Sequence, residues 1–422
     1  MRIDRHLRPL LGSALLATGA WLPAAAWATD GYFLAGIGAK AEGAGGVAIA
    51  QPEDALAIAA NPASATEVGH RLDVGADIFI PNRSATITGN GAGLNGSYSG
   101  NGANPFLLPN FGYVRPLTQR LALGLAVYGN GGMNTVYKTN PFAAFGATGN
   151  AGVDLKQIFI TPTAAYRFAP GQSIGVSPIV VVQGFRAYGI QPFAGYSQNA
   201  AQFTNNGVSW ATGTGWRVGY LGHVGQAVSF GAFYESKVRT SHFTKYAGLF
   251  ADQGKFDVPA SWGGGIAVKP VPTITLALDA KRIDYADVGA VGNPVNGLFA
   301  GVPFGASGGP GFGWRDITVI KAGATWRVSK AWTVRAGYGH SQNPIPASQT
   351  LLNILAPGVV TSHYTGGATW ASARGLELTG FVVVAPKNHV YGQGSIPNAF
   401  GGGDANVGLG ETSVGASVGV KF

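Results

Sequence analysis

Ser413-Val414-Gly415-Ala416-Ser417-Val418-Gly419-Val420-Lys421-Phe422 ends the 422-residue sequence, and its alternation decides the fold. Every even position is apolar, and every odd one is Ser, Gly or Lys. Successive side chains of a strand point to opposite faces, so one side of this segment suits lipid and the other water. The pattern recurs upstream. Leu72, Val74, Ala76, Ile78 and Ile80 alternate with Asp73, Gly75 and Asp77, and Leu121, Leu123, Leu125 and Val127 alternate with Ala122, Gly124, Ala126 and Tyr128.

Followed along the chain, the alternation predicts strands near 71–81, 106–115, 120–130, 154–168, 173–188, 213–225, 227–239, 260–269, 273–284, 316–328, 331–342, 361–372, 375–387 and 407–422. That is about fourteen, an even number as a single-chain bacterial barrel requires. Short polar connections alternate with long Gly-, Asn- and Pro-rich ones, the expected arrangement of periplasmic turns and external loops. Tyr113, Tyr166, Phe168, Trp216, Trp262, Trp326, Trp332 and Trp370 sit near strand ends, where interfacial rings belong. The expectation is an all-β transmembrane antiparallel barrel over residues 71–422, whose final Phe422 resembles the terminal aromatic of many outer-membrane barrels.

Composition points the same way. Charged residues make up 11% of the chain, aromatics another 11%, and Gly occurs 67 times. A soluble protein usually carries about 25% charged residues, so there is too little polar material here to cover a wet exterior. The chain has no Cys, which removes disulfides, thiol chemistry and Cys-based metal sites. The net charge of +9 comes from Lys and Arg spread singly, without the basic cluster that nucleic acid binding needs.

Arg2, Arg5 and Arg8, an apolar run from Leu10 to Leu22 and then Ala26-Trp27-Ala28 predict a signal peptide over residues 1–28. The run falls short of the roughly 20 residues a spanning helix needs. Removal of the peptide starts the mature chain at Thr29 and leaves a charge of +7.

Residues 29–70 do not alternate like a lipid-facing strand. Glycines at 31, 36, 38, 43, 45 and 46 permit close packing, and Pro52-Glu53-Asp54-Ala55-Leu56 reads as a helix start with Pro in its first turn. Val47, Ile49, Leu56 and Ile58 are too apolar for a disordered leader, so the segment is expected to fold inside the lumen.

This segment resembles the long-chain fatty-acid and aromatic-hydrocarbon transporter family of outer-membrane proteins, the FadL/TodX type. The resemblance is carried by Gly36-x-Gly38, the glycines through Gly43 and Gly46, Ala48-Ile49-Ala50, Asp54-Ala55 and above all Asn61-Pro62-Ala63. It implies a monomeric barrel closed by an N-terminal hatch, an apolar groove among the external loops, and sideways exit of ligand into the membrane beside the third strand. Here that strand has the small inner face Ala122-Gly124-Ala126, which suits either a passage or hatch packing.

The expected function is therefore passive uptake of a hydrophobic small molecule, with that ligand and outer-membrane lipid as partners and no cofactor or metal. Ile179-Val180-Val181-Val182 is apolar on both faces and turns an apolar wall inward. Phe142, Phe145, Phe193, Phe203, Leu249, Phe250, Leu298, Phe299, Leu351, Leu352, Ile354 and Leu355 are candidates for the outer groove, with loop packing as the plainer role. By parity Arg217, Lys281, Lys321 and Arg335 face inward, where each either meets an acidic head group or pairs with a lumen acid such as Asp73, Asp77, Asp279 or Glu377.

Two other readings remain. A general diffusion porin needs a polar, open lumen. A lipase-type enzyme needs a nucleophile brought to a base, and no Gly-x-Ser-x-Gly elbow occurs. His340 and His363 fall on neighbouring strands and could approach each other, a weak metal site at best. The sequence leaves open whether the ligand is a fatty acid, an aromatic hydrocarbon or another hydrophobe.

Overall fold

A computed structural model describes residues 30–422; the signal peptide expected over residues 1–28 lies outside them. The wall is built from fourteen antiparallel strands. They are β1 (Arg71–Thr88), β2 (Phe106–Pro116), β3 (Leu121–Asn134), β4 (Gly152–Ala169), β5 (Gln172–Tyr188), β6 (Ser209–Val224) and β7 (Val228–Glu235), followed by β8 (Ser261–Val271), β9 (Ile274–Ile283), β10 (Ile317–Arg327), β11 (Trp332–Ser341), β12 (Ser362–Ala371), β13 (Leu376–Val390) and β14 (Asp404–Lys421). Each pairs with its neighbour in sequence, and β14 returns to β1 from Arg71↔Lys421 to Thr88↔Asp404. Closure removes the outer edges of the sheet, so the backbone polar groups of the wall are satisfied within it except along one stretch between β2 and β3. Two short strands, Gly96–Ser99 on β1 and Arg239–Thr240 on β6, belong to the loops.

Parity places the side chains as the sequence predicts. Val74, Ile78, Leu123, Val176, Leu278, Val384 and Val418 are exposed on the outside, as are Trp216, Trp262, Trp326 and Trp332. Asp73, Asp77, Ser177, Asp279 and Glu377 are buried inside. No helix among the described residues is long and apolar enough to cross a membrane; the strands do so.

Several strands extend further than the alternation indicates. β1 runs to Thr88 rather than 81, because its ladder with β14 continues above the membrane while its inner residues Ala85 and Ile87 bury against loops. Pro81 lies just past the last β1–β2 pair, Phe79↔Phe106, at a locally free edge where proline is tolerated. His340 and His363 do not converge. His363 pairs with Gly339 and His340 with Ser362, so the two rings sit on opposite faces of the wall.

Candidate functional site

Residues 30–70 fill the lumen. The helical turn Ala39–Gly43 and the 3-10 helices Ala55–Ala59 and Pro62–Thr66 are buried almost throughout. Pro52 is not in a first turn as expected. Asp54 caps the second of these helices instead, its carboxylate accepting from Leu56 N at 3.0 Å. Asn61 caps the third, its side-chain oxygen accepting from Ala63 N at 3.1 Å with Pro62 as first residue. Its Nδ2 donates to Ile49 O at 2.8 Å and to Tyr220 O of β6 at 2.9 Å. The Asn-Pro-Ala motif thus stitches the segment to itself and to the wall.

The strand glycines explain how so much chain fits. A Cβ at Gly337 would lie 2.1 Å from Gly45 N, at Gly231 2.4 Å from Ile49 O, at Gly175 2.4 Å from Pro62 C, and at Gly219 2.1 Å from Asn61 Oδ1. Gly124 meets Ile58 in the same way. The inner face Ala122-Gly124-Ala126 is therefore paired strand packed on the N-terminal segment. No passage opens at those three residues. Gly43 and Gly46 on the segment likewise lie within 3.1 Å of Gly367 Cα and 1.9 Å of Ala35 O once a Cβ is added. Gly36 and Gly38 approach Glu42 and Leu56.

Polar wall groups fix the segment further. Asp279 of β9 accepts from Ala48 N at 2.8 Å and Ile49 N at 3.0 Å, and Asp73 of β1 from Ala55 N at 2.9 Å. Lys40 donates to Glu377 at 2.6 Å. Burial pushes the Asp54 carboxyl up to about 6, with the Asp73 charge adding and Lys40 and Arg71 opposing. Burial also raises Glu42 well above the carboxylate range and lowers Lys40.

The four inward cations lie where parity puts them, and three have acidic partners. Arg217 pairs with Glu235, directly opposite on β7, its Nε donating at 2.7 Å. Arg335 forms a bidentate pair with Glu53 of the N-terminal segment at 2.8 and 3.1 Å. Lys321 faces Asp279 across β9–β10, yet it donates to Asp30 at 2.8 Å and Ala35 O at 2.5 Å while Asp279 holds the segment's amides. The segment has split a cross-strand pair and taken both halves. Lys281 is held over the Phe33 ring at 5.0 Å. Three of the four are thus committed to acids, and the acids are Glu235, Glu53 and Asp30, none of those the sequence proposed. No group of three or more His, Asp or Glu among the described residues is arranged to hold a metal ion.

One place in the wall is not closed. β2 and β3 pair from Pro116↔Ala122 to Asn110↔Tyr128 and then part. Residues 106–109 pair only with β1, and beyond a bulge at Asn130 residues 131–134 pair only with β4. The freed edge of β3 is taken up by the N-terminal segment, with Leu34 N donating to Asn130 O and Gly132 N to Tyr32 O, both at 3.1 Å. Tyr285 anchors the same stretch, accepting from Tyr32 N at 3.2 Å and donating to Asp30 O. A cavity of about 530 Å³ lies behind the break. Its lining runs from inward residues such as Asp77, Asn110 and Gln157 to outward ones such as Val74, Leu107 and Ile158, and Leu107 is 68% exposed on the lipid side. The resemblance implies an opening beside the third strand, but the sequence reading looks for it at Ala122-Gly124-Ala126 and misses residues 30–34, Gly131 and the position of the break after Tyr128. The run Gly129-Asn130-Gly131-Gly132 was the available signal, since glycine inside a strand marks a bulge or a close backbone approach.

Above the lumen the loops form an aromatic cap. Phe142, Phe193, Phe203, Phe250, Leu298, Leu351, Ile354 and Leu355 are buried in it, and Phe299 is exposed. Phe193 meets Phe142, Phe145 and Phe400 edge-on at 5.0 to 6.4 Å. Phe142, Phe193, Phe203, Leu249, Phe250, Leu352 and Leu355 line an apolar cavity of about 40 Å³.

Residues 14–390 match the model of a family described as outer membrane protein transport protein (OMPP1/FadL/TodX). Among solved structures, the P. putida toluene transporter TodX is 17% identical with a TM-score of 0.67, covering 92% of this chain and 99% of that one. A Pseudomonas aeruginosa FadL homologue is 16% identical with a TM-score of 0.69, covering 93% and 100%. The Ralstonia pickettii toluene transporter TbuX is 18% identical with a TM-score of 0.63, covering 92% and 99%. At these identities the likeness is one of fold. No curated protein matches the sequence.

Proposed function

The chain belongs to the OMPP1/FadL/TodX family of outer-membrane transport proteins, and from that premise we propose that it passes small hydrophobic molecules from the loop cap through the lumen cavity and sideways into the membrane. The family is one of transporters, not enzymes, and its members reside in the outer membrane. The observation that carries the sideways route is the cavity behind the unpaired stretch of β2 and β3, whose lining changes from lumen-facing to lipid-facing without a wall between. The toluene transporters among the similar folds support an uncharged hydrocarbon as one class of cargo.

The physical chemistry favours this route over a watery one. Each methylene that leaves water gains about 0.8 kcal/mol, so an apolar path ending in lipid lets cargo run downhill without ATP. The hatch, residues 30–70, moves unevenly in this mechanism. Residues 44–66 are held by Asp279, Asp73 and Asn61 and by backbone seated on wall glycines, whereas residues 30–35, tied by Lys321 and Tyr285, border the cavity and complete the β3 edge. Cargo displaces this last stretch, and the rest stays as a plug against water and solutes.

Liposomes carrying the purified protein test the proposal. Alkylbenzene uptake should depend on the protein, and sugars should not permeate. Rapid swelling in sugar with no hydrophobe uptake would overturn it in favour of a porin.

A further inference from the structure

The break in the wall is framed on every side. Its two sides are the parted stretches of β2, held by β1 up to Phe79↔Phe106, and of β3, held by β4 from Gly131↔Gln157 to Asn134↔Asp154. Its sill is the last β2–β3 pair, Asn110↔Tyr128. Its top comes from the loop between β1 and β2. The short strand Gly96–Ser99 lies on β1 through Ser84↔Ser99, and the chain then crosses to the far side, where Gly102 N donates to Val136 O and Val136 N to Gly100 O, both at 3.0 Å. Thr135 and Tyr137 are bonded in turn to Val153 and Ala151 at the start of β4.

One side chain locks that crossing. Arg83 of β1 lines the cavity and is 3% exposed. β2 begins level with Phe79, and four residues further along β1 the Arg83 guanidinium lies over the first ring of β2, 5.5 Å from the centre of Phe106. From there it donates to Asn104 Oδ1, just ahead of β2, and to the carbonyl and side-chain oxygens of Asn134, the last residue of β3, the side-chain bond at 3.1 Å. Its backbone holds the loop, N–H donating to Asn101 Oδ1 at 2.7 Å and C=O accepting from Gly100 N at 3.0 Å. Asn134 passes the contact on, its Nδ2 donating to Asp154 of β4 at 3.1 Å. Arg83 thus ties β1 to β3 over the end of the strand between them. A buried cation is costly unless paired, and within a membrane barrel it marks a functional position. The acceptors of this guanidinium are amide oxygens on the two sides of the break, so its charge spans the opening instead of neutralising an acid.

A slit between two strands widens as far as its occupant pushes. A frame bonded on four sides does not, so passage depends on girth: a slender molecule passes end-on, and one that is broad in two dimensions is stopped. We propose that Arg83 is a specificity-determining residue, the clasp at the top of the frame that limits the cross-section of cargo leaving sideways. Residues 30–35 set whether the opening is filled, and Arg83 sets how wide it stands once they withdraw. The assignment rests on the sideways route above.

Uptake into liposomes carrying the protein, with protein-free liposomes subtracted, tests it on two uncharged hydrocarbons, pentylbenzene and 1,3,5-triisopropylbenzene. The slender probe should enter faster than the broad one by about tenfold or more, the discrimination a close-fitting site exerts on size. Arg83→Met keeps the stem over Phe106 and none of the bonds; each bond from a charged donor carries a factor of about ten or more, so the preference should fall to about threefold or less. Gly102→Ala loosens the same corner without altering Arg83, because a Cβ there would lie 2.7 Å from Val136 Cγ1 and 2.9 Å from Val136 O, and it should lower the preference as well. Arg83→Lys reaches one side at a time and should fall between. Each readout is a ratio on one protein, so any loss of folded material cancels. Equal entry of the two probes through the unaltered protein, or a preference unmoved by both Arg83→Met and Gly102→Ala, would overturn the assignment while leaving sideways transport intact. Pentylbenzene uptake no faster than in protein-free liposomes would overturn the transport reading as well.

Discussion

Gly131→Ala isolates the contact between the N-terminal segment and the wall break. Gly131 has a φ of 144°, and a Cβ there would lie 1.8 Å from Tyr32 O and 3.0 Å from Phe33 Cα. Ordinary van der Waals contact needs about 3.4 Å, so the segment must retreat by roughly 1.5 Å. That breaks both edge bonds, Leu34 N to Asn130 O and Gly132 N to Tyr32 O. At a net 0.5–1.5 kcal/mol each, the closed arrangement loses about 1–3 kcal/mol, a shift of about 5- to 150-fold toward the displaced one. If displacement of residues 30–35 admits cargo to the gap, initial alkylbenzene uptake into liposomes should rise toward that factor while sugar remains excluded. Gly195→Ala, where an added Cβ meets nothing within 4 Å, is the matched control and should leave uptake unchanged. Spin labels on residue 34 and β4 would report the retreat directly. An unchanged uptake rate in a protein whose segment has moved would refute the gating argument.

Three further outcomes follow from the same contacts. Asn61→Ala removes a helix cap and two donated hydrogen bonds, and should cost at least about 2 kcal/mol locally, read as faster amide exchange across Pro62–Thr66 with the barrel still folded. Arg335→Ala leaves Glu53 without its bidentate partner; Glu53 is partly open to solvent, so the cost should be about 1–3 kcal/mol, seen as the onset of sugar leakage in swelling assays. Asp54 carries a raised carboxyl, so the folded segment binds its proton more tightly than the unfolded chain does. The resulting stabilisation is full below its ordinary 3.8 and is lost as pH rises to about 6. Protease resistance of the segment should fall across that window and be flat in Asp54→Asn, which keeps the cap; an identical slope in the variant would assign the effect to another group.

The barrel is legible in the sequence because lipid outside and a crowded lumen inside impose a period of two on every strand, which Val414 to Phe422 displays in a single line. The side each cation faces is legible for the same reason, but its partner is not always. Arg217 and Glu235 occupy opposed positions on adjacent strands, so an exact register would have paired them. Register alone would also have paired Lys321 with Asp279, and wrongly, because a segment from the far end of the chain comes between them. The break after Tyr128 is hidden by its own chemistry. The glycines that free the β3 edge also look like the start of a loop, and the residues that complete that edge lie about a hundred positions upstream.

The wall glycines have a consequence beyond packing. Because Gly175, Gly231 and Gly337 lack side chains where the segment's backbone presses, and Gly219 where Asn61 and Pro62 do, the inner surface is a cast of the object it holds. A saturating mutational scan of the strands should therefore print an outline: intolerant glycines along the imprint, and indifferent ones such as Gly380 of β13, where the nearest atom to an added Cβ is Gly415 O at 3.9 Å. If cargo moves only residues 30–35, the outline recorded under selection for uptake should match the one recorded under selection for folding everywhere except at Gly131.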